Sequence, residues 1–335
     1  MRIDATLAAP SEDLAAPTRL EADGFHTIWL GETNQDAFLR SLLTLQATTT
    51  AGVGTSIAIA FSRTPMTVAQ AGYDLARYGQ GRFVLGLGSQ VKAHVERRFS
   101  MPWSHPAARM REFVQAMRAI WSCWQDGTPL DFRGEHYQHT LMTPFFTPVR
   151  HEWGPPPVYL AGVGELMTKV VGEVADGYFF HPFTTQSYLR EVTLPALAAG
   201  REAGGRTDAL PLVITGPAFV TTGRDQAEMD VAVAGTKKQI AFYGSTPAYR
   251  VVLDHHGWGD LQPELTALSK QGRWDDMTNL IPDDLMHAMS VVGTPGEVGA
   301  ALKARWGDVA TSVTLYKTYA SDPAIWPAII AAAQG

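Results

Sequence analysis

Short apolar runs alternate with helical patterns along most of the chain. Residues 2–8 form a first candidate strand, and Ser11 with Asp13 opens a helical pattern through Leu14, Arg19 and Leu20 that Ala22-Asp23-Gly24 stops. Phe25 to Leu30 predicts a second strand and Phe38 to Thr50 a helix. The run Thr55 to Phe61 is apolar and partly β-branched, as expected of a strand buried on both faces. A helix over Thr67 to Tyr78, a strand over Phe83 to Leu87 and a long helix over Ala107 to Trp124 follow. Further strands are predicted at Pro157 to Leu160, Tyr178 to Phe180, Leu212 to Val220 and Ser312 to Tyr316, with a helix over Gln186 to Ala203. Thr294-Pro295 with Glu297 is a strong helix start, leading into Val298 to Arg305.

Parallel strands joined by helices close either as an open doubly wound sheet or as an eight-stranded barrel. Eight predicted strands favour an α/β fold of the (β/α)8 TIM-barrel type, as one domain over residues 1–335 with no polar linker between halves. Two stretches break the rhythm. Residues 127–153 contain a predicted hairpin and a proline-punctuated loop, and residues 244–292 hold short helical patches around Tyr249 to Leu253, Leu261 to Lys270 and Leu285 to Met289. Insertions on the βα-loops of a barrel stand over its active face, where either can act as a lid.

Composition narrows the classes. The net charge of −6 argues against a non-specific nucleic-acid surface, while leaving room for a local basic patch that meets a small anion. Cys123, the single cysteine, lies beside Trp121 and Trp124 in an amphipathic helix, where a buried thiol is expected and no intramolecular disulfide can form. There is no basic leader and no apolar run of membrane-span length, so a soluble, cytoplasmic protein is expected. His136 with His139, and the adjacent His255-His256, lack a third ligand at metal-site spacing. Neither a nucleophile-elbow serine nor a long phosphate-binding loop with lysine is present.

Candidate chemistry gathers at predicted strand ends, which converge on one rim in a barrel. Glu32 follows the second strand, Ser62 and Arg63 the third, Ser89 and Gln90 the fourth, His181 the sixth, and Lys317 with Thr318 the eighth. His181 suits either a hydrogen-bond or proton donor or a capped, partly buried histidine. Lys92, His94, Arg97 and Arg98 lie together just past the fourth strand, a locally positive segment that suits an anionic ligand; for Arg98 a solvated helical face is the simpler expectation. The strand–turn–helix–strand unit Val158 to Phe180 has Gly162 and Gly164 at its turn, where the first free N–H groups of the helix point. A phosphate seat and a merely tight turn both fit that pattern.

Several words of sequence fall in a recognisable order. They are Thr64-Pro65 with Ala69-Gln70, then Gly81-Arg82-Phe83-Val84-Leu85-Gly86-Leu87-Gly88, then Arg109 with Arg111-Glu112-Phe113. Phe132, Gly134, His136 and Tyr137 follow, and then Ala161-Gly162-Val163-Gly164 with Gly172-Glu173-Val174-Ala175-Asp176-Gly177. In these the chain resembles the bacterial luciferase-like superfamily, and within it the deazaflavin F420-dependent oxidoreductases. The resemblance implies a (β/α)8 barrel, usually dimeric, that binds coenzyme F420 or, alternatively, FMN. It implies phosphate contacts from the backbone of Gly162, Val163, Gly164 and Glu165. The ring would lie against a third-strand bulge around Ser56, Ile57 and Ala58, beside Gly88, with a non-proline cis peptide somewhere in Ser56 to Ala60. Lys92, Arg97 or Lys317 would meet the acidic tail of F420. Sugar-phosphate dehydrogenases of the superfamily carry an aspartate-histidine pair after the second strand, where this chain has Glu32-Thr33. The expected activity is therefore hydride transfer to or from another small organic substrate, with Glu32, His94 and His181 as catalytic candidates for handling the proton. An FMN-dependent monooxygenase and a non-catalytic flavin-binding barrel are the alternatives.

Overall fold

In a computed structural model of the chain, residues 1–7, 13–207 and 210–335 are described. They divide into two compact units: a larger one of Ala5–Phe179 with Ala196–Val213, and a smaller one of Met1–Asp4, Phe180–Pro195 and Ile214–Gly335. Strand β1 (Arg2–Thr6) contributes to both. The proposed helix start at Ser11 lies outside the described residues; the helix itself runs Ala16–Ala22.

In the larger unit, β1 is followed by β2 (Thr27–Leu30), β3 (Gly52–Thr55), β4 (Ala58–Ile59) and β5 (Phe83–Gly88). The short antiparallel hairpin β6 (Phe132–Arg133) and β7 (Gln138–His139) comes next, then β8 (Val158–Ala161) and β9 (Gly177–Phe179). The end of β1 pairs with β2, and β2, β3, β5, β8 and β9 continue as parallel neighbours. β2 is buried along its length because strands covered on both faces must be apolar throughout. Gly54 opposite it is a steric necessity: a Cβ there would sit 2.4 Å from Cζ3 of Trp29. Trp29, Tyr159 and Phe179 form an aromatic cluster with Ile57, Val84, Ala161 and Val213 packed against it.

The predicted third strand, Thr55 to Phe61, is broken. β3 stops at Thr55, β4 has two residues, and Ala60–Ser62 form a 3-10 turn. Apolar content alone does not reveal such a break, because a buried bulge and a buried strand have the same composition.

The smaller unit receives the end of β10 (Val213–Thr215) and contains β11 (Pro217–Thr222), β12 (Ser290–Gly293) and β13 (Ser312–Tyr316). The start of β1 pairs with β13, β13 with β11, and β11 with β12, all parallel. The predicted strand Leu212 to Val220 is thus split at Gly216, where a Cβ would lie 2.6 Å from the Phe180 carbonyl oxygen. The helix Gln226–Gly244 has no clear apolar periodicity in the sequence, since Lys237, Lys238 and several small residues blur its apolar face. The stretch 244–292 is largely helical, with Arg250–His255, Leu261–Lys270, Trp274–Asn279 and Asp283–Met289. Phe183, Phe219, Ile240, Leu253, Leu265 and Leu285 belong to its core. The start predicted at Thr294 is seen: the Thr294 N–H donates to Glu297 Oε2 at 2.9 Å and the helix runs Pro295–Trp306. The architecture is α/β with a parallel sheet, resembling the strand–helix alternation of a TIM barrel. No helix among the described residues is long and apolar enough to cross a membrane.

Candidate functional site

β8 delivers the glycine turn. The Tyr178 hydroxyl donates to the Gly162 carbonyl at 3.1 Å, which ties the turn to β9. Gly162 is close-packed, with an added Cβ 3.0 Å from Met167 Cγ. Gly164 adopts φ +82° at the N-cap of the helix Glu165–Val174, and an added Cβ there would meet nothing within 4 Å. No side chain caps this helix. Glu165 in its first turn pairs with Lys169 at 2.6 Å, and that hydrogen bond holds its carboxyl below the usual range. Uncapped N–H groups at the positive end of a helix, reached through open space, fit an anionic group such as a cofactor phosphate.

The second feature is the broken third strand. Thr55 Oγ1 donates to the Gly86 carbonyl at 2.7 Å and accepts the Gly86 N–H at 2.9 Å, locking β3 against β5. The peptide Ser56-Ile57 is cis, within the Ser56 to Ala60 window. Ala58 pairs with Leu87 and Ile59 with Gly88. An added Cβ on Gly88 would lie 2.9 Å from Ile57 Cγ1, so Ser56, Ile57, Ala58 and Gly88 are neighbours.

Glu32 sits beside that segment. Its N–H donates to the Ile57 carbonyl at 3.2 Å, and Oε2 accepts the Ile59 N–H at 2.7 Å. Arg63 forks across the carboxylate, with Nη2 to Oε1 and Nη1 to Oε2 both at 2.8 Å. Nη2 also reaches Asp36 Oδ2 at 2.8 Å, and Asp36 caps the helix Ala37–Ala47. The Glu32 side chain is 6% exposed. Every contact of its carboxylate uses it as an acceptor, which suits an anchor better than a proton donor.

The segment past β5 is exposed. Lys92, His94 and Arg97 fall on the helix Lys92–Arg97, and Lys92 meets Glu96 at 3.6 Å, an exposed pair of little energetic weight. Arg98, for which a solvated face was expected, donates to the Thr33 carbonyl and lies over the Phe99 ring. This joins the segment to the residue that follows Glu32.

In the smaller unit, His181 accepts the Phe183 N–H on Nδ1 at 3.1 Å, so its own proton resides on Nε2, which lies 3.0 Å from the Tyr249 hydroxyl. Burial pushes the imidazole down to about 4. The ring is therefore neutral near pH 7 and donates to Tyr249, leaving the phenolic proton available to another acceptor. Tyr243 and Tyr316 share a hydrogen bond of 2.8 Å nearby, and burial raises both phenols. Lys317 donates to Ser321 Oγ at 2.7 Å, and burial pulls its ammonium down. Among the described residues no group of three or more His, Cys, Asp or Glu is arranged to hold a metal ion.

Sequence reasoning gave Arg63 and Tyr249 no role. Arg63 was visible as a polar residue at a strand end; Tyr249 had no such signal. Several of the family-like words prove structural instead. Glu112 accepts the N–H groups of Glu135 and His136 at 2.9 and 2.7 Å and that of Tyr137, and Gly134 is required because a Cβ there would fall 2.1 Å from Glu112 Oε1. Arg109 donates to the Tyr137 hydroxyl at 2.7 Å and lies over the Phe61 ring.

The sequence profile of the luciferase-like monooxygenases matches residues 4–311. An uncharacterized protein of Mycobacterium tuberculosis is 51% identical over 290 residues, 87% of this chain and 85% of its own length. A 5,10-methylenetetrahydromethanopterin reductase of Archaeoglobus fulgidus is 26% identical over 288 residues, 83% of this chain and 81% of its own. Among solved structures, an F420-dependent secondary alcohol dehydrogenase in complex with an F420-acetone adduct superposes with a TM-score of 0.73 at 19% identity, covering 99% of both chains. That likeness establishes the fold.

Proposed function

The chain belongs to the family of luciferase-like monooxygenases, and from that premise we propose that it is an F420-dependent oxidoreductase acting on a small organic substrate. Membership makes it an enzyme, which sets aside the non-catalytic flavin-binding barrel. The observation that carries the reading is the uncapped helix start behind Gly162-Val163-Gly164, a seat for an anionic cofactor group. Relatives and fold neighbours that act with F420 favour that cofactor over FMN. A fold neighbour, a type II Baeyer-Villiger monooxygenase in complex with FMN, supports FMN as the second reading.

In this reading the N–H groups of Gly162, Val163, Gly164 and Glu165 hold the cofactor phosphate. Ser56, Ile57, Ala58 and Gly88 bear its ring, and Lys92 and Arg97 offer exposed positive charge to its acidic tail. Bound F420 supplies or receives a hydride at C5 of its ring. The accompanying proton needs a group of its own. Glu32 has its carboxylate committed to Arg63 and Ile59, and His181, within the smaller unit, is neutral with both ring nitrogens engaged by Phe183 and Tyr249. His94 is exposed and remains a candidate for proton exchange. A single closed (β/α)8 domain over 1–335, with lid-forming insertions at 127–153 and 244–292, a homodimeric state and a cytoplasmic location belong to the same proposal.

The test is a parallel equilibrium titration of the apoprotein with F420 and with FMN, read by absorbance. Selective micromolar binding of F420, followed by hydride transfer in an anaerobic screen of small carbonyl compounds and alcohols, is expected. Selective FMN binding with oxygen uptake in the presence of a flavin reductase would replace the F420 reading with the monooxygenase one.

A further inference from the structure

One carboxylate and one guanidinium hold the chain where β3 gives way to β4. The Glu32 N–H takes the Ile57 carbonyl, and the Glu32 carboxylate takes the Ile59 N–H, so Ala58 is bracketed by the same residue. Arg63 engages both carboxylate oxygens and returns to the segment itself, donating to the Ile59 carbonyl at 3.3 Å and to Ser62 Oγ at 3.0 Å. Asp36 fixes the other edge of the guanidinium, which also lies over the Phe38 ring. From below, Ile57 is pinned by Gly88 and by the Trp29, Tyr159 and Phe179 cluster.

Such a pair is a poor device for stability alone. Burying a carboxylate and a guanidinium costs desolvation that apolar residues of similar size would avoid. What it provides is geometry: a bidentate fork fixes direction as well as distance, and it fixes it where the strand is interrupted between Thr55 and Ala58. We propose that Glu32 and Arg63 are positioning residues for the ring-bearing segment Ser56-Ile57-Ala58, acting as one unit, and that Glu32 is not the proton carrier. The inference rests on the F420 reading above and adds Arg63 to the residues on which cofactor binding depends.

The experiment compares wild type with Glu32→Gln, Arg63→Lys and the double variant. Three quantities are read: the F420 dissociation constant, the visible absorption band of bound F420, and thermal unfolding without cofactor. Glu21→Gln serves as a matched control, because Glu21 also clamps backbone N–H groups in the same unit but at residues 49–51. Glu32→Gln is expected to weaken F420 binding about tenfold or more and to move the bound band toward that of free cofactor. Arg63→Lys, which keeps the charge and loses the fork, should fall between, and the double variant should be no worse than Glu32→Gln. Glu21→Gln should lower the melting temperature with affinity and band unchanged. A Glu32→Gln variant with wild-type affinity and band but lost turnover would overturn the inference and return Glu32 to proton transfer. If that variant fails to fold, wild-type binding by Arg63→Lys is the overturning result. Wild type that binds no F420 fails the functional reading itself, a separate outcome.

Discussion

Two turns of the larger unit present rows of backbone N–H groups, and they differ in what fills them. At residues 49–51 Glu21 folds back so that Oε1 accepts from Thr49, Thr50 and Ala51 at 3.0, 2.7 and 2.7 Å. Burial pushes this carboxyl up, but the N–H groups of Ala51, Thr50 and Thr49 outweigh it and hold the group at about 2. At residues 162–165 no side chain caps the helix, Gly164 adopts φ +82° and ψ 156°, and apolar Val163 and Leu166 stand exposed beside the opening. A turn that serves only the fold is closed by the chain's own carboxylate. In the proposed reading, the turn left open at the positive end of the helix takes its anion from the cofactor.

The strongest way to break this contrast is to close the open turn with bulk. Gly164→Val forces a β-branched residue to φ +82°, ψ 156°, a region essentially reserved for glycine, which costs about 1–3 kcal/mol of stability. It also places side-chain atoms over the N–H groups, and loss of charge-assisted hydrogen bonds there should lower F420 affinity roughly a hundredfold. Unchanged affinity in a folded variant, measured by titration, would remove the phosphate-seat assignment. A sharper version supplies an internal acid, as Glu21 does. Val163→Asp should weaken F420 binding about tenfold, and added salt should shrink the difference from wild type, because the effect is electrostatic.

At the filled turn the loss should appear in stability and not in binding. Glu21→Gln is expected to cost on the order of 2 kcal/mol near neutral pH once solvent screening of this accessible carboxyl is allowed for, and so several degrees in melting temperature. The folded-state value is depressed, so this contribution is full above the ordinary carboxyl value of 4.5 and fades as pH falls toward about 2. Thermal melts of both proteins should therefore converge across that window. The smallest effect concerns His181, whose ring nitrogens are also filled from within. Its value is depressed to about 4, so its contribution to stability is full above 6.5 and declines as pH falls toward 4. His181→Asn should reduce the steepness of the stability loss in that range and leave the profile above pH 7 unchanged; a new titration near neutrality would contradict the buried, neutral ring.

Much of this protein was legible in the order of its residues. Alternating strands and helices, the start at Thr294, and the glycine turn at 162–164 depend on local propensity, caps and backbone freedom, all of which act over a few neighbouring residues. The break at Gly216 was not legible, and the one at Ser56-Ile57 was expected only through the family resemblance, because burial looks the same in a straight strand and an interrupted one. Nor was the fate of the ionisable residues. Glu21 and Glu32 are both acids near the end of a secondary-structure element, and neither Glu21's neighbours nor Glu32's reveal its partners. Packing brings residues 49–51 to the first and Arg63, thirty-one residues along the chain, to the second. A carboxylate's chemistry is set by which donors reach its oxygens, and long-range donors are chosen by how strands and helices pack, so only the tertiary structure decided which groups were already occupied and which turn stayed open.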